Sequence, residues 1–429
     1  MRSGGRSEVG EERPRGRASW RQLASAPGLG AMVGSRTAQA FGRSFTPIAL
    51  QVAAVRLGRG EPLVLSAILL ASFVPAIVLG PFAGVLAERW NKRRTVAWAQ
   101  VSRVAFVLLA AAAPSVPAFV ATSLLLGISQ AIYQPAYRAL FPEVAGGDDL
   151  HLRATAMSQA LEQVAAVVGT AVAAFAVVFV GIRPAFALDA LVLAVSASLA
   201  FAVPRRFTGK AADGPGAGGV WRQLVEGFTA VGERRLARQL AGLMAAVTVG
   251  AVMMNPVLVL VPRKLLHAPV WWFGVFELVQ AAAMALLGGL IASGLRLPRR
   301  TLVLGGFALC GVSVLGLALS RSIAADIALY VLFGLANMAF LAPVSAMYRL
   351  QFPLALRARG SAVYSSVVGV AQALGVVAGG VAAAALSVGA GLAIAGAWIV
   401  VATGAALVLG LLRDADQAPP AGPVAAAVT

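Results

Sequence analysis

The sequence is short of the residues that usually carry chemistry. It has a single cysteine in 429 residues, Cys310, which excludes an intramolecular disulfide framework. Its two histidines, His151 and His267, sit in different loops, so they offer no zinc ligand set. Charged residues make up only 12% of the chain, about half the share of an ordinary soluble domain, while 59% are hydrophobic. The little charge there is lies mostly on one side of the ledger: 35 Lys and Arg stand against 17 Asp and Glu. In a soluble chain such an excess would point to nucleic acid. Here the basic residues occupy short loops between apolar runs, with no basic stripe interleaved with aromatics, so no nucleic-acid partner is expected. A P-loop of the form G-x-x-x-x-G-K-S/T is missing, which argues against ATP-driven work by this chain. No nucleophile with a base and no cofactor motif appears, so neither an enzyme activity nor a cofactor nor a metal is expected.

What the chain does have is long apolar runs, each near the roughly 20 residues a membrane helix needs. They lie at 30–54, 62–86, 96–114, 117–139, 154–180 and 184–203, then at 239–262, 271–293, 301–320, 324–348, 359–386 and 389–412. This is an all-α integral membrane pattern of twelve spans arranged as six, a gap and six. The expected divisions are an N-terminal tail (1–29), a first half (30–203), a linker (204–236), a second half (237–413) and a C-terminal tail (414–429). The linker opens with GKAADGPGAGG and continues as WRQLVEGFTAVGERRLARQ, which reads as a short amphipathic helix on the membrane surface. The Arg-rich residues 1–19 contain no apolar core before a cleavage site and read as a cytoplasmic tail.

Lys and Arg resist translocation, so their distribution predicts orientation. With the N-terminus cytoplasmic, inside segments hold 26 of them and outside loops 6, which places both termini in the cytoplasm. On that topology YRALFP (137–142) closes the fourth span and YRLQFP (348–353) closes the tenth, both at the inner face. Further pairs keep nearly the same spacing: RRT at 93–95 and 299–301, RATA at 153–156 against RGSA at 359–362, and WRQL at 20–23 and 221–224. Four matches in order indicate a duplicated six-span unit.

After the second span the chain reads GVLAERWNKRRTV, which resembles the major facilitator superfamily signature G-x-L-a-D-R-x-G-R-K/R. Gly84, Leu86, Glu88, Arg89, Lys92 and Arg93 fall on matching positions, with Glu88 in place of the usual Asp and Asn91 in place of the second Gly. The resemblance implies the major facilitator fold of two pseudo-symmetric six-helix halves. It also implies a gating role for Gly84, Glu88, Arg89, Lys92 and Arg93, through pairing at the inner face that latches one conformation. A plain positive-inside loop is the alternative. Four stretches are similar to the bacterial drug and metabolite exporters that include enterobactin and macrolide efflux proteins: AFGRSFTPIAL, QPAYRALFPEVAGGDDL, RPAFALDALVLAVSASLAFAVP and the VEGF segment at Val225–Phe228. This implies a multi-pass protein of the bacterial cytoplasmic membrane, acting as a monomer and exporting amphipathic small molecules by proton-coupled antiport. An importer on the same scaffold is the alternative. The fifth-helix antiporter motif of that branch stands here as GTAVAA, Gly169 to Ala174, without its proline and paired glycines.

Ionisable residues within spans usually face protein or a wet cavity, because charge in hydrocarbon is costly. In the first span Arg36, Gln39, Arg43 and Thr46 share one helical face, as a cavity wall or as a hydrogen-bond seam. In the fourth span Gln130, Gln134 and Tyr137 repeat the pattern. Glu162 in the fifth lies about 13 Å inward from Arg153 and is the most central acid of the first half. It can bind a coupling proton or a substrate, or it can be a fastener neutralised by Arg43 or Arg103. Asp189 and Glu277 fall near outer span ends, where gate salt bridges or solvation are expected. The second half offers Asn255, Gln280, Asn337, Met338 and Gln372, a set suited to amphipathic organic substrates. Gly375, Gly379 and Gly380 are read as helix-packing positions.

Overall fold

In hydrocarbon every backbone N–H and C=O must be satisfied within the chain, so apolar runs of this length fold as helices. A computed structural model describes residues 28–57, 60–146, 148–207, 228–292, 298–352 and 354–412. Among them twelve long helices follow one another: α1 (Leu29–Arg56), α2 (Pro62–Arg89), α3 (Lys92–Ala112), α4 (Val116–Ala145), α5 (Asp148–Phe175) and α6 (Ile182–Ala202) form the first set. The second set is α7 (Arg235–Met253), α8 (Trp272–Ala292), α9 (Arg299–Leu319), α10 (Ile323–Leu350), α11 (Leu354–Ala385) and α12 (Val388–Val408). A π-helical turn at Ala176–Val180 extends α5, and single turns at Asn255–Leu258 and Val261–Lys264 extend α7. Both turns open at a proline, Pro256 and Pro262, whose missing N–H costs nothing where a helix restarts.

Eleven of the described helices are long and apolar enough to cross a membrane. α1 is as long as most of them but carries Arg36, Gln39, Arg43 and Gln51. It packs between α5 and α6, so protein rather than lipid covers most of it.

The duplication read from short matches appears again in the packing. In the first half α1 packs on α5 and α6, α2 on α4, and α3 on α4 and α6. The second half repeats the scheme, with α7 on α11 and α12, α8 on α10, and α9 on α10 and α12. Across the halves α2 meets α11 and α5 meets α8, two pairs that a two-fold exchange of halves maps onto each other. The fold is therefore two pseudo-symmetric six-helix halves.

Close approach is achieved by glycine at equivalent places. A Cβ on Gly127 of α4 would press on the Ser72 carbonyl of α2, and one on Gly334 of α10 would press on the Gln280 carbonyl of α8. Gly169 of α5 sits in the same way on the Phe41 carbonyl of α1, and Gly375 of α11 on the Val249 carbonyl of α7. Gly379 lies against Met253 and Gly380 against Ser66, consistent with packing roles for all three glycines of α11.

One expected boundary moves. The fourth span does not close at YRALFP, because α4 runs on through Pro142 to Ala145. It stops at Gly146, whose φ of +81° lies in the left-handed region that glycine adopts freely, and whose N–H bonds the Pro142 carbonyl. The other copy behaves differently, since α10 ends at Leu350, before its proline. Of the linker, 204–207 and 228–236 are described. The helical turn at 228–233 buries Ala230 and Val231 against the main core, and α7 has begun by Arg235. The two WRQL copies, the N-terminal tail up to residue 27, the C-terminal tail and the rest of the proposed surface helix lie outside the described residues.

Candidate functional site

The 3-4-3 spacing on α1 places Arg36, Gln39, Arg43 and Thr46 along one face, and the packing of α1 turns that face toward α3, α4, α5 and α6. Arg36 is the hub. Its Nε lies 3.0 Å from Glu162 Oε1 of α5, an ion pair that is off the line of a good hydrogen bond. Its Nη1 donates to Gln39 Oε1 at 3.2 Å and to Gln134 Oε1 of α4 at 3.5 Å. The guanidinium lies over the Tyr137 ring at 4.7 Å and the Tyr133 ring at 5.6 Å, and the two rings stack 5.6 Å apart. A cation held over aromatic faces in this way gains electrostatic stabilisation in a dry interior. Ser158, one turn before Glu162, donates to the same Oε1 at 3.1 Å.

The network continues inward. Gln39 Nε2 donates to Gln130 Oε1 at 2.9 Å, and that oxygen also accepts from Arg103 Nη1 of α3 at 3.1 Å. Arg103 is within electrostatic range of Asp189 on α6, whose Oδ2 accepts from the Thr46 hydroxyl of α1. The second Asp189 oxygen has no hydrogen-bond partner among the described residues. Five helices of one half are thus joined by polar contacts running from Glu162 to Asp189, the step from Arg103 to Asp189 being electrostatic rather than a hydrogen bond or ion pair. Arg43 stands apart. It is exposed, makes no hydrogen bond or ion pair among the described residues, and lies within electrostatic range of Arg36 and Glu162.

Several expected residues therefore meet: Gln39, Thr46, Gln130, Gln134, Tyr137 and Glu162 all belong to this network, with Arg43 at its edge. Glu162 is paired with Arg36, neither with Arg43 nor with Arg103. Asp189 is not solvated at a span end but wholly buried, because α1 passes in front of it at Gly42. Arg103 reaches the centre from α3, where one basic residue in an apolar run was the only available signal.

The second-half candidates do not join them among the described residues. Asn337 donates to the Phe333 carbonyl of its own helix at 2.9 Å, and Asn255 is half-buried on a turn that packs against α2 and α11. Glu277 on α8 and Asp326 on α10 both lie within electrostatic range of the buried Tyr330, and neither forms an ion pair among the described residues.

Of the proposed gating residues, the side chains of Gly84, Glu88 and Arg89 lie outside the described residues. Lys92 is buried, and Arg93 donates to the Phe201 and Val203 carbonyls at 2.6 Å each, tying the start of α3 to the end of α6. Asn91, where the signature has glycine, caps α3 by accepting from the Arg94 N–H at 3.1 Å.

The halves approach each other at the end of the bundle away from Leu29 and Val408. There a Cβ on Gly274 of α8 would meet Ala174 of α5, Gly380 of α11 meets Ser66 of α2, and Trp271 packs on Phe175 and Phe179 with ring centroids 6.0 and 6.4 Å apart. The contact continues to mid-depth, where Gly369 faces Ile77.

A family model described as Major Facilitator Superfamily matches residues 32–270. No curated protein matches the chain. Among solved structures, a mutant form of the nucleoside transporter NupG superposes with a TM-score of 0.72 at 12% identity, over 89% of this chain and 99% of that one. An auto inhibited POT family peptide transporter superposes with a TM-score of 0.68 at 14% identity, over 89% and 96%. At these identities the likeness concerns the fold.

Proposed function

Since the chain belongs to the Major Facilitator Superfamily, we propose that it is a secondary active exporter of amphipathic small molecules, working by alternating access with proton antiport in a bacterial cytoplasmic membrane, both termini cytoplasmic. The observation that carries this reading is the buried network around Arg36 and Glu162, with Arg43 unpaired beside it. Three cations, Arg36, Arg43 and Arg103, face two acids, Glu162 and Asp189, so among the described residues this network and its edge carry one more cation than acid. An organic molecule with an acceptor-rich or anionic end and an apolar body fits such a setting: Arg43 meets the polar end, and the aromatic and aliphatic walls take the rest. Protonation of Glu162 would release Arg36, giving substrate and proton a shared set of contacts to compete for. The sealed end near Trp271 and Gly380 supports a conformation that opens toward the end bearing the termini.

The test is efflux of lipophilic cations, macrolides and siderophores from a host lacking its own exporters. Wild type should drive at least one class outward in response to a pH gradient. Glu162→Gln should abolish concentrative export while leaving downhill movement. Unchanged pH-driven export by that variant would make Glu162 a fastener, and accelerated uptake in place of export would establish the importer reading.

A further inference from the structure

Outside the central network, the outer surface of the first half carries a built hollow. A groove of about 580 Å³ runs between α3 and α4 from Asn91 and Arg94 down to Phe106, Ile128 and Ile132. A second hollow of about 510 Å³ shares Asn91, Arg94 and Trp98 with it and adds Arg93, Phe201 and Arg205 at the start of α3 and the end of α6. The two meet at Trp98, an exposed indole set edge-on to Phe201 with centroids 6.0 Å apart.

One part of this site is cationic and the other apolar. Arg93 lies within electrostatic range of Arg94 and Arg205, and no carboxylate pairs with any of the three among the described residues. Like charges gathered without an acid repel one another unless an anion enters. Arg93 is already committed to the Phe201 and Val203 carbonyls, which leaves the exposed guanidiniums of Arg94 and Arg205 free to grip it. From Asn91 to Phe106 the helix rises about 22 Å, enough to run from headgroup level through one leaflet of a hydrocarbon core about 30 Å thick. Exposed Trp90 and Trp98 flank the cationic end, where indoles favour the membrane–water boundary.

We propose that this is a binding site for an anionic phospholipid, its phosphate held by Arg94 and Arg205 and one acyl chain laid along the α3–α4 groove. Basic pockets between membrane helices take anionic headgroups for the same electrostatic reason. A zwitterionic lipid brings no net charge to offset the three guanidiniums. A soluble anion would leave the groove unfilled.

Native mass spectrometry of the full-length, detergent-solubilised protein tests this with phosphatidylglycerol and phosphatidylcholine of matched chains. Wild type should retain phosphatidylglycerol in clear preference. Arg94→Gln with Arg205→Gln, both at exposed positions, should lose that preference while unfolding at the wild-type temperature. Ile128→Trp, which fills the groove and leaves the arginines in place, should reduce retention of either lipid. Glycerol 3-phosphate at millimolar concentration should not displace the bound lipid. Equal retention of the two lipids by wild type, an undiminished preference in the double variant, or displacement by glycerol 3-phosphate would each overturn the proposal.

Discussion

Asp189 has no exposed surface, a single hydrogen-bond donor among the described residues in Thr46, and Arg103 within electrostatic range. Removing either of two oppositely charged buried groups leaves the other less compensated, which is destabilising. Asp189→Leu should therefore lower the thermal unfolding temperature of the purified protein sharply. Adding Arg103→Leu should recover much of the loss. Failure of the second substitution to help would mean that the two residues are not energetically paired. The sequence alone suggested a different place for Asp189, because distance from a span end was its only guide to burial. That guide omits the neighbouring helix, and here α1 covers the acid at Gly42. Glu162 shows the same limit. Its central depth was legible from Arg153, but Arg36 and Arg43 lie on one face of α1, and only the relative height of α1 and α5 decides which of them pairs with it.

At the scale of helices, the order and number of spans were readable, since long apolar runs and their basic flanks are local properties. Pairing was not. The repeated motifs suggested which helices correspond, but not that corresponding helices meet at corresponding glycines. Gly127 and Gly334 sit at equivalent crossings, each against a carbonyl of a neighbouring helix. Gly127→Ala and Gly334→Ala should each destabilise the protein by about 1–3 kcal/mol, the usual cost of overpacking. Gly305→Ala, where no atom lies within 4 Å of the added carbon, should be close to neutral. Thermal unfolding of the three variants checks this, and a symmetric pair of losses would support the duplicated scaffold energetically. Boundaries were the weakest expectation. YRALFP read as the close of the fourth span, yet a proline can be carried inside a membrane helix when its surroundings satisfy the freed carbonyl. Gly146 ends α4 instead.

For the whole molecule, two helix pairs form the seam between halves, α2 with α11 and α5 with α8. Alternating access requires the end near Ala174 and Gly274 to part once per cycle. Ala174→Cys combined with Gly274→Cys should form a disulfide on mild oxidation, stop transport, and regain activity on reduction. The native Cys310 is buried and should not interfere. Transport that continues with the bond formed would show that this end need not open. The overall architecture was the most legible layer of all, because recurring apolar runs and duplicated motifs constrain it directly. The conformation is a property of packing between distant segments and left no trace in the sequence.

Every polar contact from Glu162 to Asp189 is made within one half, so on the proposed cycle these contacts stay intact while the seal shifts from one end to the other. Arg43 is the exception, since it alone among these groups is exposed. The transmembrane voltage falls across whichever end is shut, so this stationary guanidinium would sit at the electrical potential first of one compartment and then of the other. A full charge carried through the whole field corresponds to about 2.3 kcal/mol per 100 mV. Voltage could thus bias an empty carrier toward one face, and an anionic cargo bound at Arg43 would cancel that bias.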